Sequence, residues 1–139
     1  MWRVLFLVLA LAGCVHTPLP PTPQEIQAKR FEPVASQSVI YIVRDYPDFN
    51  DNPATLTLDS AASVTLYPGT FHRWEVPAGK HRIAGFAGDN GAIHLDTAPG
   101  RVYYVQHRLS LFGFFPVSLF QVVGEGQGQA VAMRGQLVP

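Results

Sequence analysis

Apolar and polar positions divide this chain into three stretches with different periods. Residues 4–11 form an unbroken apolar run behind one positive charge, Arg3. From Thr22 to Phe31 the pattern is that of a short helix. Thr22 stands as N-cap, Pro23 takes the first helical position, and Glu25 completes a capping box. This helix is expected over residues 23–30. It is too short to be stable alone, so it should dock through Ile26 and Phe31. From Ser38 onward the period falls to two, the mark of β-strands. In residues 38–44 both faces are largely apolar, which predicts a central strand buried on either side. Residues 55–58 and 63–66 alternate as half-buried strands do. Further strands are predicted at 71–76, 81–87, 92–97, 102–110, 119–123 and 129–133. Turn chemistry separates them at Pro68-Gly69, Pro77-Ala78-Gly79, Asp89-Asn90-Gly91 and Pro99-Gly100. Glycines 124, 126 and 128 read as a glycine-rich hairpin leading into the last strand. Short strands spaced in this way predict an all-β protein, an antiparallel sandwich or barrel.

The amino-terminal run changes the picture once its continuation is included. A bilayer span takes roughly 20 apolar residues, whereas a run of this length suits a signal-peptide core. It leads into Leu11-Ala12-Gly13-Cys14, which resembles the lipobox of bacterial lipoproteins. The resemblance implies that Cys14 is diacylated on sulfur, becomes the new amino terminus and is acylated there. The chemistry fits: the transferase needs an accessible thiol, and the peptidase needs small residues such as Ala12 and Gly13 before the cut. Cys14 is the single cysteine, so no intramolecular disulfide can form. Val15, rather than Asp, after the cysteine resembles the outer-membrane sorting pattern, implying an anchor facing the periplasm. Prolines 18, 20, 21 and 23 favour an extended spacer of about 25–30 Å. The expected organisation is a signal peptide at 1–13, then lipidated Cys14, linker and short helix at 14–35, and a β-sandwich domain at 36–139.

The chain has 10 basic and 10 acidic residues. Losing Arg3 with the signal peptide leaves 9 against 10, a formal charge of −1. A near-neutral chain without a basic stripe argues against nucleic acid as a partner. It argues equally against electrostatic attraction to anionic headgroups. At 47% apolar and 12% aromatic, the chain can bury a genuine core.

Residues Trp74-Glu75-Val76-Pro77-Ala78-Gly79-Lys80-His81-Arg82-Ile83 resemble the Pro-Gly hairpin of PEGA-type and carboxypeptidase-regulatory-like domains. Tyr41-Ile42-Val43-Arg44 precedes this segment and Gly100-Arg101-Val102-Tyr103-Tyr104-Val105 follows it. The order is similar to a family of uncharacterised bacterial lipoproteins carrying a domain of unknown function, over residues 36–134. The resemblance implies a transthyretin-like or prealbumin-like sandwich and lends no catalytic residues.

Candidate chemistry is sparse. His72, His81, His94 and His107 are 9, 13 and 13 residues apart, without the local convergence of ligands a zinc site needs. A hairpin at residues 77–80 would pair His81 near Val76, away from His72. His107 shares a face with Tyr103, Val105 and Leu109 and reads as a hydrogen-bonded histidine at the core edge. Asp48, Asn50 and Asn52 mimic positions one, three and five of a calcium loop, with Asp59 at twelve. Position six, however, is Pro53 where glycine is required. The alternative is an Asx turn. Residues 124–128 lack the βαβ context of a dinucleotide site, and no Gly-x-Ser-x-Gly elbow is present.

The segment 111–120 is apolar and uncharged. It is expected either to cover an open end of the sandwich, the favoured reading, or to form an exposed contact patch. The leading expectation is therefore a non-enzymatic envelope module without cofactor, held at the membrane by Cys14. It would engage an envelope protein through Phe112, Phe114 and Phe115, with Tyr46 and Trp74 as weaker, exposed candidates. The alternatives are a small-ligand or calcium module using Asp48, Asn50 and Asp51, and an enzyme whose site carries no recognisable motif.

Overall fold

A computed structural model describes residues 19–139; the lipobox Leu11-Ala12-Gly13-Cys14, Val15 and Pro18 lie outside the described residues. The chain runs α1 (Pro23–Ala28), β1 (Ser38–Arg44), β2 (Ala54–Leu58), β3 (Ala62–Leu66), β4 (Thr70–Val76), β5 (Gly79–Ala84) and a 3-10 turn (Gly88–Gly91). It continues with β6 (Ala92–Thr97), β7 (Val102–Phe112), β8 (Phe115–Val123), α2 (Glu125–Arg134) and β9 (Gln136–Leu137). Two sheets form, ordered β8-β7-β1-β4-β9 and β3-β2-β5-β6. The molecule is mostly β, as the period predicts. The first sheet is mixed rather than antiparallel, because β7 and β9 run parallel to β1 and β4. A parallel neighbour needs a long crossover. Here the whole second sheet is built between β1 and β7.

One expected hairpin is a corner. β4 pairs with β1 and β9, whereas β5 pairs with β2 and β6, so residues 77–78 carry the chain from one sheet to the other. His81 accordingly faces Leu95 across the β5–β6 pair rather than Val76.

The sheets bury a first core between them. Ile40, Ile42, Trp74, Val76, Val105 and Leu109 of one sheet meet Leu56, Leu58, Val64, Leu66, Ile83 and Leu95 of the other. Trp74, expected on the surface, is only 8% exposed because its strand position faces this core. A second core lies on the outer face of the mixed sheet, where Ala28, Val131 and Ala132 of the helices cover Val39, Tyr41, Val43, Phe71 and Tyr104. This layering explains why β1 reads as apolar on both faces: all seven of its residues are buried.

The α1 cap forms as the sequence predicts, with Thr22 Oγ1 accepting from Glu25 N at 3.1 Å. The Glu25 carboxylate instead accepts from Lys29 Nζ at 2.7 Å and from Leu137 N at 3.2 Å. The helix ends at Ala28, and Ile26 is exposed. Docking falls to Ala28, whose carbonyl accepts from Tyr41 Oη at 2.6 Å, and to Phe31, whose ring lies 5.3 Å from that of Tyr41.

The glycine-rich segment is also corrected: residues 125–134 are helix α2, not a hairpin and strand. The glycine at 128 permits a close approach to the sheet, since a Cβ there would stand 2.4 Å from Tyr104. Burial of Val131 and Ala132 then outweighs the poor helix propensity of three nearby glycines.

Candidate functional site

β1 pairs with β7 only over residues 39–43 and 102–106. From His107 to Phe112, β7 therefore has β8 as its single strand neighbour. At roughly 3.4 Å per residue, this ribbon extends about 17 Å. Gly113 at φ +62° and Phe114 make a two-residue turn of the II′ kind, which favours glycine at its first central position. The register sets Phe112 opposite Phe115 and Leu111 opposite Pro116. Directly opposed residues share a face, so Phe112 and Phe115 stand side by side next to the turn that carries Phe114. Phe112, Phe114 and Phe115 are 80%, 98% and 74% exposed. The tip of the 111–120 segment thus projects instead of covering the core, whereas Ser118 is buried and Phe120 packs against the inner core. Pro116 is tolerated because β8 is an edge strand.

The end of the sandwich is closed by a polar plug instead. Arg44, the last residue of β1, is fully buried. Its Nε donates to Asp48 Oδ2 at 2.7 Å, and Nη1 donates to the carbonyls of Asn52 and Leu66 at 2.8 and 3.0 Å. Nη2 donates to the carbonyl of Asn50 at 2.5 Å. Asp48 Oδ2 also accepts from Leu109 N at 3.1 Å, stitching loop 45–53 to β7 where β1 has ended. The loop read as a calcium mimic does fold around a cation, and that cation is the Arg44 guanidinium. Asn50 Oδ1 accepts from Asn52 N at 2.9 Å, as in an Asx turn, and Asp51 is exposed. Asp59 lies in the β2–β3 turn and accepts from Arg82 N, so it does not join Asp48.

His107 is buried on the inner face of β7, as its pattern implies. Its Nε2 lies 3.0 Å from Ser118 Oγ, which accepts from Phe86 N, while Nδ1 has no partner. Burial, with the charge of Arg44, lowers its pKa to about 4, against a smaller opposite pull from Asp48. The imidazole is therefore neutral at pH 7.

The three other connections at this end carry Tyr46, Phe49, Tyr67 and Phe86, all exposed. Tyr46 touches the 67–69 turn, since a Cβ on Gly69 would lie 3.4 Å from that of Tyr46. Among the described residues, every exposed phenylalanine and tyrosine belongs to this one end. Four of the seven, Tyr46, Phe112, Phe114 and Phe115, are legible as contact candidates in the sequence. Phe49, Tyr67 and Phe86 carry no sequence signal, because only the topology brings their loops together.

The other candidates serve the fold. His81 holds Asp59 Oδ2 at 2.6 Å on Nδ1 and the Pro77 carbonyl at 2.7 Å on Nε2. Burial opposes its charge, but these two acceptors outweigh burial and raise its pKa. With both ring nitrogens engaged, it has no free lone pair for base catalysis. His72 Nδ1 lies 2.6 Å from the Val138 carbonyl, and burial lowers its pKa. Among the described residues, no three His, Cys, Asp or Glu side chains are placed to hold a metal ion. An open groove of about 640 Å³ runs between α1 and β4, and several of its polar side chains are engaged in local pairs. Gln27 donates to Glu32, and Arg73 bonds Glu75 and Tyr41.

Set beside known proteins, no family model matches this chain, no curated protein matches its sequence, and no solved structure matches its fold.

Proposed function

We propose that this chain is a lipid-anchored, non-enzymatic contact module of the bacterial cell envelope. In this reading Cys14 carries the acyl chains, prolines 18 to 23 space the domain from the membrane, and Val15 directs it to the outer membrane, facing the periplasm. The transthyretin-like reading of the sandwich belongs to the same proposal. Its support is the two-sheet core, and the parallel β1–β7 pair is a feature that an antiparallel template lacks.

The observation that carries the function is the gathering of all exposed aromatics of the described residues at one end. Exposed apolar patches of this kind mark contact surfaces. The Arg44–Asp48 plug beneath them holds the hairpin base without spending its phenylalanines on the core. The aromatic end is the surface that engages a second envelope component.

Two measurements test this reading. Labelled palmitate should enter the wild-type protein and not Cys14→Ser, and only the former should sediment with membranes through its acyl chains. A photo-reactive residue at position 114 in intact envelopes should form adducts, whereas one at position 80, in β5, should not. An unacylated wild type, or an absence of adducts at 114, would sink the proposal.

A further inference from the structure

Resting on that reading, we infer that the component engaged is the lipid bilayer itself: the β7–β8 hairpin inserts its 112–115 tip into the acyl-chain boundary of the membrane surface. Four observations lead there.

The first is charge. Between Arg108 and Glu125 the chain has no ionisable side chain, a run that includes the whole tip and all of β8. Burying a charge in hydrocarbon is costly, and beyond Arg108 this ribbon has none to bury.

The second is the order of chemistry along the ribbon. Leu111, Phe112, Phe114 and Phe115 stand outermost, with no hydrogen-bonding side chain among them. Tyr46 and Tyr67 follow the ends of β1 and β3, near the ribbon's base. The Asp45–Arg134 ion pair lies at the same level as Tyr46. Apolar tip, amphipathic tyrosine collar and charges below reproduce the layering of a membrane interface, where tyrosine favours headgroup depth. Interfacial elements sink about 5–10 Å, a depth matched by the charge-free stretch from Leu109 to Phe112, about 10 Å long.

The third is shape and backbone. The tip is convex, and its phenylalanines touch almost nothing, whereas protein hot spots sit in well-packed pockets. The two-residue turn pairs the Phe112 and Phe115 backbones with each other, and the polar groups open along both edges of the ribbon hold the insertion at the shallow, hydrated interface rather than the hydrocarbon core. Pro116 removes one donor from the open edge of β8, which disfavours addition of a partner strand there.

The fourth is reach. Eight residue steps separate Cys14 from Thr22, the N-cap of α1. Fully extended, they span at most about 28 Å, the length of the proline spacer. An acylated Cys14 would keep the domain within that distance of the bilayer, where the tip can meet its surface.

The experiment uses the mature lipoprotein in phosphatidylcholine vesicles, so that the anchor secures attachment and the readout concerns the tip alone. Phe114→Trp alters a side chain that packs against nothing and should leave the melting temperature unchanged. The emission that it adds to that of core Trp74, obtained by subtracting the wild-type spectrum, should be blue-shifted and quenched several-fold by acyl-chain bromines, without anionic lipid and regardless of salt. Lys80→Trp should be unquenched. Solvent-like, unquenched emission at 114 would overturn the inference, as would equal quenching at 114 and 80, which describes a domain lying flat. In envelopes, lipid adducts from a photo-reactive residue at 114 support it. Protein adducts together with unquenched Trp at 114 overturn it while leaving the contact module standing. No adduct of either kind removes both.

Discussion

Arg44 shows how much one residue decides here. Its guanidinium is wholly buried and balanced by Asp48 and three carbonyls. Removing one member of a buried ion pair typically costs about 3–5 kcal/mol, whereas replacing both with apolar groups is often neutral. Asp48→Asn should therefore lower stability by about that amount in urea unfolding, and Arg44→Met with Asp48→Leu should recover only part of it, because three carbonyls and Leu109 N lose their partners. A loss below about 1 kcal/mol for Asp48→Asn would mean a pair exposed to solvent. The histidines set opposite pH dependences. His107 takes up its proton near pH 4 when folded, against about 6.5 for a solvated imidazole. The unfolded chain thus binds the extra proton, and stability falls as pH drops from about 6.5 to 4, by at most about 3 kcal/mol. His81 has a raised pKa, so its contribution is present below about 6.5 and is lost as pH rises through the folded value. His107→Gln should flatten the acid side of the stability profile, and His81→Gln should remove the loss on the other side. If neither slope changes, these environments are not as described.

At the level of elements, the two helices make the contrast. The α1 cap was legible because Thr22 and Glu25 are three residues apart and their bond is local. α2 was not legible, because Gly124, Gly126 and Gly128 match the chemistry of a turn until Tyr104, distant in sequence, is known to press on the helix. The two helical glycines should therefore respond with opposite sign. Gly126→Ala meets open space and should stabilise by up to about 1 kcal/mol through helix propensity. Gly128→Ala would place Cβ 2.4 Å from the Tyr104 ring and should destabilise despite the better propensity. Thermal melts of the two variants check this directly; equal shifts would count against α2. The β4–β5 corner teaches the same lesson, since Pro77-Ala78-Gly79 supplies a turn in either case. Which sheet receives β5 depends on pairing with β2 and β6.

For the whole molecule, two cores share β1, and neither includes the hairpin tip. Changing Phe112, Phe114 and Phe115 together to serine should leave the melting temperature within about 6 °C, because surface substitutions seldom exceed about 0.5 kcal/mol each. The same variant should lose the contact made by the aromatic end. Collapse of folding would return those side chains to the core. The sequence by itself determined what is local: the period of two, the turn residues, the α1 cap, the doubly apolar β1 and the uncharged aromatic run. Tertiary structure alone decided what those pieces meet. It settled that loop 45–53 closes on Arg44, that a glycine-rich segment is a helix against Tyr104, and that Trp74 faces inward. It also gathered seven aromatics from four connections at one end. The physical reason is range. Caps and turns are bonded within a few residues, whereas burial and surface depend on partners such as Asp48 and Leu109, 61 residues apart.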